Sequence, residues 1–257
     1  MLRSLLLIAT IIGWAAELSA QIGYTNYNAL LGKYIKGNRV DYMNLRTDRE
    51  ILLTFTDALA AESPDSAPDK YPGRREKLAY WINAYNAFIL KLILENYPVG
   101  SIKDIMFIGF TVWLKKNRIG GKEISFKALE DDIIRGRFKD PRIHFAINCA
   151  SVSCPPIRNE AYVPDRLDQQ LDESTADFIN NDLNFMVDEK NRKIYLSAIF
   201  DWYRDDFLVW LTEVKNKPDP VILDYIELYY QGQFRPEWQK YDLGYHEYDW
   251  SLNDINR

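Results

Sequence analysis

The sequence predicts an α+β fold, a single domain in which a buried central helix packs on a small, mostly antiparallel sheet. Three observations carry that expectation. Residues 74–96 read as a helix that is apolar nearly all round, the pattern of a helix covered on every side. Two pairs of short apolar or β-branched runs, Thr111–Leu114 with Lys122–Ile124 and Asn184–Val187 with Lys193–Leu196, flank turn residues and read as hairpins. No repeat, low-complexity run or long linker divides the chain.

Taken in order, the first element is a leader. Arg3 precedes the apolar run Leu5–Ala16, and Leu18-Ser19-Ala20 supplies small residues before Gln21. This three-part pattern is that of a signal peptide spanning residues 1–20, with cleavage expected after Ala20. The run is too short to cross ~30 Å of hydrocarbon as a helix, and no cysteine follows it to take a lipid. The expected location is therefore periplasmic or extracellular, without membrane insertion after cleavage. Residues 21–73 form an N-terminal helical portion: Tyr27, Leu30, Leu31 and Tyr34, a turn at Gly37-Asn38, then Ile51–Ala61 and a proline-containing loop over Glu62–Gly73.

Residues 74–231 form the core portion. The helix Arg74–Asn96 closes at Tyr97-Pro98. The first hairpin turns at Gly120-Gly121, and Ser125 is placed to cap a helix reaching about Gly136. Ile143–Cys149 reads as a buried strand and Ala150–Pro164 as a loop. Helices follow over Asp165–Asn180, Phe200–Val214 and Val221–Tyr230, with the second hairpin between the first two. Residues 232–257 are a polar, aromatic tail without a clear period.

Composition narrows the function classes. With 257 residues, 47% of them hydrophobic, the chain can bury a full core without disulfides or metals. Removing the leader takes away one Arg and one Glu, so the net charge stays at −5. An acidic chain lacks the Lys/Arg excess that nucleic acid and anionic membrane surfaces require. The partners left are a small-molecule or peptide ligand and another protein.

Chemistry is suggested where polar residues interrupt apolar patterns. On the helix 74–96, Asn83 and Asn86 share a side with Leu90 and Ile93. A buried amide without partners costs about 1–3 kcal/mol, so each must be bonded to something specific. They either clamp neighbouring backbone or orient a catalytic group or ligand. Glu130 lies inside the stripe Phe126, Leu129, Ile133 and Ile134. A carboxylate there either pairs with a cation, Arg137 being in the same direction, or reaches His144.

The densest cluster is Pro141–Pro156. It holds one of the two histidines, His144, and both cysteines, Cys149 and Cys154. An imidazole beside a thiol is the usual arrangement for a thiolate nucleophile. On a strand, His144 and Cys149 would face opposite ways, roughly 16 Å apart at about 3.3 Å per residue. Cys154, beyond a short turn, can fold back, which makes it the nucleophile candidate. Three states stay open: a Cys149–Cys154 disulfide, a free Cys154 nucleophile, or two inert thiols. The spacing fits no common zinc pattern, so neither a metal nor another cofactor is expected. Ser151 and Ser153 lack the glycines of a nucleophile elbow, and His246 reads as a surface residue.

Tyr80-Trp81-Ile82-Asn83-Ala84-Tyr85-Asn86-Ala87-Phe88 resembles the signature of the family catalogued as domain of unknown function 547. Pro141-Arg142-Ile143-His144-Phe145-Ala146, with Cys149-Ala150-Ser151 and Ser153-Cys154-Pro155, resembles its second signature. Leu196-Ser197 with Trp202-Tyr203 and Asp206-Phe207 resembles a third. The resemblance implies exported bacterial members and plant members beside leucine-zipper segments. It also implies a distant kinship with papain-like or transglutaminase-like cores, in which the cysteine precedes the histidine. Here the order is reversed.

The resulting expectation is a cysteine-dependent hydrolase or acyl transferase on amide or ester bonds. Cys154 would be the nucleophile, His144 the base and Glu130 or Asn83 the orienting group, with Asn86, Asn148, Cys149, Ser151 and Ser153 binding. The alternative is a binding or interaction module with a disulfide-fixed loop at the same place. A sulfur–sulfur bond between the two cysteines would dispose of a hydrolase that works through a standing thiolate.

Overall fold

The three-and-four spacing of Tyr27, Leu30, Leu31 and Tyr34 does form a helix, α1 (Tyr24–Tyr34), with all four side chains buried. The computed structural model describes residues 24–105 and 111–257, so the expected leader lies outside the described residues. A tight hairpin follows α1, β1 (Ile35–Lys36) against β2 (Arg39–Val40). Helix α2 (Arg49–Ala61) buries Leu52, Phe55 and Leu59, and Tyr27 stacks on Phe55 with ring centroids 4.1 Å apart.

Helix α3 spans Arg74–Asn96, the bounds its pattern predicts, and every side chain from Leu78 to Leu90 is buried. Its chief neighbours are α2 and the helical segment after the first hairpin, not a sheet. The fold is α+β as expected, but a helix apolar on all sides needs more cover than four-residue hairpins supply. Other helices provide it.

The first hairpin pairs β3 (Lys116–Ile119) with β4 (Lys122–Ser125). Gly120 and Gly121 both take positive φ, the requirement of a two-residue hairpin turn. That turn ties β3 directly to Gly120, so the first strand lies later than Thr111–Leu114, where Val112–Leu114 is a single 3-10 turn. The next helical segment, α4, covers 126–138. Ser125 caps it as expected, its Oγ accepting from the Ala128 N–H at 3.1 Å. Inside α4, Leu129–Arg135 is π-helical. Gly136 suits that wide turn, since a Cβ there would stand 3.0 Å from the Asp131 carbonyl oxygen.

Ile143–Cys149 is not a strand. Pro141–Phe145 is a 3-10 helix with Pro at its start, capped by the Asp140 side chain on the Arg142 N–H. The apolar run is buried as anticipated, but its N–H groups close local turns, as Ala146 and Ile147 do on the Ile143 carbonyl, or bond side chains, as Asn148 and Cys149 do, rather than a neighbouring strand. The face-parity argument separating His144 from Cys149 therefore lapses.

Helix α5 (Leu167–Ile179) leads to the second hairpin, β5 (Phe185–Asp188) against β6 (Lys193–Leu196). Two helices, α6 (Ile199–Trp202) and α7 (Arg204–Lys215), replace the one continuous helix expected from Phe200. A shorter helix, α8 (Ile222–Glu227), follows. The C-terminal segment is no loose tail: β7 (Asp242–Tyr245) adds to β6 in parallel, and Leu252, Asn253 and Asp254 are buried.

The apolar interior falls into two clusters. One gathers around α1–α4 and includes Ile143, Ala146 and Ile147. The other is aromatic, built from Phe145, Phe178, Phe200, Phe207 and Tyr225. The turn that carries His144 contributes to both, which places it at their seam. No helix among the described residues is long and apolar enough to cross a membrane.

Candidate functional site

The seam opens into a cavity of about 370 Å³. His144, Glu130, Cys149 and Cys154, four residues singled out from the sequence, line it together. Three tryptophans, Trp113, Trp202 and Trp250, give it an apolar wall.

Amide side chains hold its floor in place. Asn86 on α3 donates from Nδ2 to the Ala146 carbonyl at 2.9 Å and accepts from the Asn148 N–H at 3.0 Å. Asn148 repeats the move, donating to the Pro155 carbonyl and accepting from the Ala150 N–H, both at 2.6 Å. This relay runs from the central helix to the cysteine loop and holds Ala150 at φ 62°, a left-handed conformation costly for a residue with a Cβ. Asn86 and Asn148 thus build the site without lining it. Asn83, expected as an orienting group, is engaged elsewhere: its amide exchanges hydrogen bonds with the Tyr162 backbone at 2.7 and 3.0 Å. That is a correction, because both ends of the amide serve a loop away from the cavity.

The orienting group is Asp206, at the start of α7. His144 Nε2 lies 2.7 Å from Asp206 Oδ2. Arg135 grips the same carboxylate through Nε at 2.9 Å and Nη2 at 3.3 Å. Burial alone would push the Asp206 carboxyl up, but hydrogen bonds from His144 and Arg135 outweigh it and hold the group down at about 2. A carboxylate only accepts, so Nε2 carries the proton. Burial also lowers the His144 pKa, against the opposing pull of Asp206, so the ring is neutral at pH 7. The tautomer is then set, with the lone pair on Nδ1, the form required of a base.

Tyr203 couples this pair to Glu130. Its ring stacks on His144 at 3.9 Å, while the Arg135 guanidinium lies 4.9 Å from the same ring centroid. Its hydroxyl donates to Glu130 Oε1 at 2.6 Å, and Tyr85 donates to Oε2 at 3.0 Å. Burial raises the pKa of both phenols, which keeps their protons in place. Glu130 therefore bonds neither Arg137, which pairs with Asp65, nor His144 directly. The wide π turn carries both Glu130 and Arg135.

Cys149 and Cys154 are joined as a disulfide, and the described residues include no free cysteine. Cys154 as a standing nucleophile is thus corrected: in this state its sulfur has no lone thiolate to offer. Ser151 is buried with its Oγ 3.0 Å from Cys149 Sγ, and Ser153 Oγ accepts from the Asp249 N–H at 2.9 Å. His246, read as a surface residue, is half-buried with its ring against Tyr195. Among the described residues no group of three or more His, Cys, Asp or Glu is placed to hold a metal ion.

Sequence reasoning passed over Asp206 and Tyr203 as site residues. The signal available was their place in the third motif, three residues apart. Tyr248 and Trp250, in the aperiodic tail, gave none.

Residues 68–179 match the family described as "Protein of unknown function, DUF547". Neither the curated proteins nor the solved structures searched contain a match to this chain. The matched stretch holds α3, Glu130, His144 and both cysteines, whereas Tyr203, Asp206 and Tyr248 lie beyond it. The resemblance seen in the first two motifs is thereby shown over residues 68–179, the stretch that the family's model matches.

Proposed function

We propose that this chain is an exported hydrolase or acyl transferase acting on amide or ester bonds, with a cysteine nucleophile that is released when the Cys149–Cys154 bridge is reduced. The observation that carries this reading is that His144, held by Asp206, lines the same cavity as both sulfurs. In the reduced protein, His144 Nδ1 takes the Cys154 thiol proton and the thiolate attacks the carbonyl carbon. A carbon–sulfur bond forms, the leaving group departs with the proton held on the imidazole, and water or another acceptor then cleaves the acyl-enzyme. Asp206, gripped by Arg135, sets the tautomer of the neutral imidazole and stabilises the imidazolium that forms when Nδ1 takes the proton.

The test is release of p-nitrophenol from a short-chain p-nitrophenyl ester by the full chain, before and after native reduction with dithiothreitol. Turnover is expected only after reduction, is lost in Cys154→Ser, and falls about a hundredfold in His144→Gln and Asp206→Asn. Equal rates before and after reduction, or in Cys154→Ser, would remove the cysteine mechanism. The mass of the chain recovered outside the cytoplasm, expected to begin at Gln21, tests export.

One observation favours a second reading, a non-catalytic binding module: both sulfurs are bonded, and the tryptophan wall suits a peptide or a flat apolar ligand. Ligand-dependent change in tryptophan fluorescence with no ester turnover in either redox state would favour it.

A further inference from the structure

Both sulfurs of the Cys149–Cys154 bridge have hydrogen-bond donors placed against them. The Cys149 N–H reaches Cys154 Sγ at 2.9 Å. Cys149 Sγ lies 3.0 Å from Ser151 Oγ and 3.4 Å from the Tyr248 hydroxyl, and these two oxygens are themselves 3.2 Å apart. A divalent sulfur is a weak acceptor, so donors aimed at it add little to a bridge that only staples a loop. They act strongly once the bond breaks and a thiolate appears, because hydrogen bonds to a charged group are about twice as strong. The bridge also lines the cavity instead of lying behind it.

We infer that Cys149–Cys154 is a redox-active pair that undergoes thiol–disulfide exchange with a dithiol entering the cavity. Cys149 is the more exposed of the two residues, Cys154 being 9% exposed, so the incoming thiolate attacks Cys149 Sγ. A mixed disulfide forms there and the electron pair of the broken bond passes to Cys154 Sγ, whose thiolate accepts from the Cys149 N–H. The second thiol of the reductant, as its thiolate, then attacks its partner sulfur in the mixed disulfide. The cyclic oxidised reductant leaves, and the electron pair passes to Cys149 Sγ, which meets the Tyr248 and Ser151 hydroxyls. Two electrons move from dithiol to bridge; of the two protons it gave up, one ends on Cys154 Sγ and the other on a base or in solvent, which leaves Cys149 Sγ as the thiolate that the two hydroxyls hold. Neutral His144, lining the same cavity, is a base to carry that other proton.

This activity goes beyond acyl transfer and does not depend on it, though the same exchange would set when the acyl-transfer nucleophile is free. The test equilibrates the folded full-length chain with dithiothreitol at graded ratios of reduced to oxidised reagent. Thiols are counted by alkylation and mass, with circular dichroism to verify the fold. Reversible reduction and reoxidation without denaturant is expected. The Ser151→Ala/Tyr248→Phe double variant should shift the equilibrium at least about tenfold toward the disulfide, the effect of losing donors to a charged sulfur. A bridge that yields only in denaturant, or an equilibrium unmoved in a folded double variant, overturns the proposal. The wild-type comparison of native and denatured chain decides the first point without any variant. Ester turnover scored on the same reduced samples separates failure of acyl transfer from failure of exchange.

Discussion

Two regions of this molecule bury polar side chains, and they do so differently. On α3, Asn83 and Asn86 are 2% and 3% exposed, and each amide closes a two-bond exchange with main-chain groups. At the cavity, His144 is equally buried at 3%, but its partner is a carboxylate that is itself gripped by an arginine. Burial does not distinguish the regions; the partners do. An uncharged amide satisfied by backbone is closed to further chemistry and fixes geometry. A neutral imidazole with one nitrogen committed keeps the other for a proton, and the space beside it decides what can use that proton.

The comparison breaks most readily at Asn86. Replacing it with alanine leaves the Ala146 carbonyl and the Asn148 N–H buried without their partner. At about 1–3 kcal/mol for each buried unpaired group, stability in urea unfolding should fall by about 3 kcal/mol. A loss below about 1 kcal/mol would show that the amide relay does not hold the cysteine loop.

The next effect concerns pH and belongs to the other region. His144 has a folded pKa below its ordinary 6.5 because of burial, so below that pH the unfolded chain binds a proton that the folded chain resists. Its contribution is complete above about pH 6.5 and is lost as acid is added. Asp206 adds a second loss in the same direction, from its ordinary 3.8 down through about 2. That second limb amounts to about 1–2 kcal/mol once the partial exposure of the group is allowed for. Urea unfolding between pH 7.5 and 5 should therefore show falling stability in the wild type and a flatter profile in His144→Gln. Identical profiles would mean that the buried imidazole is not held neutral. Smallest is Ser153→Ala: with one exposed hydrogen bond to Asp249 removed, stability should change by less than about 1 kcal/mol and the exchange rate not at all. A larger change would move Ser153 into the site.

What could be read early was local. A helix apolar on every side, a Gly-Gly turn and a serine followed by an amphipathic run each state their structure within a few residues, and α3, the β3–β4 turn and the Ser125 cap follow from them. The gathering of His144, Cys149, Cys154 and Glu130 was also legible, since three of the four lie within eleven residues. The run Ile143–Cys149 misled because β-branched and apolar residues describe burial, and a proline with a capping aspartate turned that buried stretch into a 3-10 helix.

Periodicity, turns and caps are short-range properties of the chain, so the class of fold, the central helix and the neighbourhood of the site could be read from the residues alone. It took the packed chain to show that His144 answers to Asp206, 62 residues away, that Glu130 is held by Tyr85 and Tyr203, and that Tyr248 returns from the C-terminal segment to touch Cys149. Those pairings depend on which faces of distant elements pack together. An aspartate in the first turn of a helix and a tyrosine in an aperiodic tail carry no local mark of the partner they will meet.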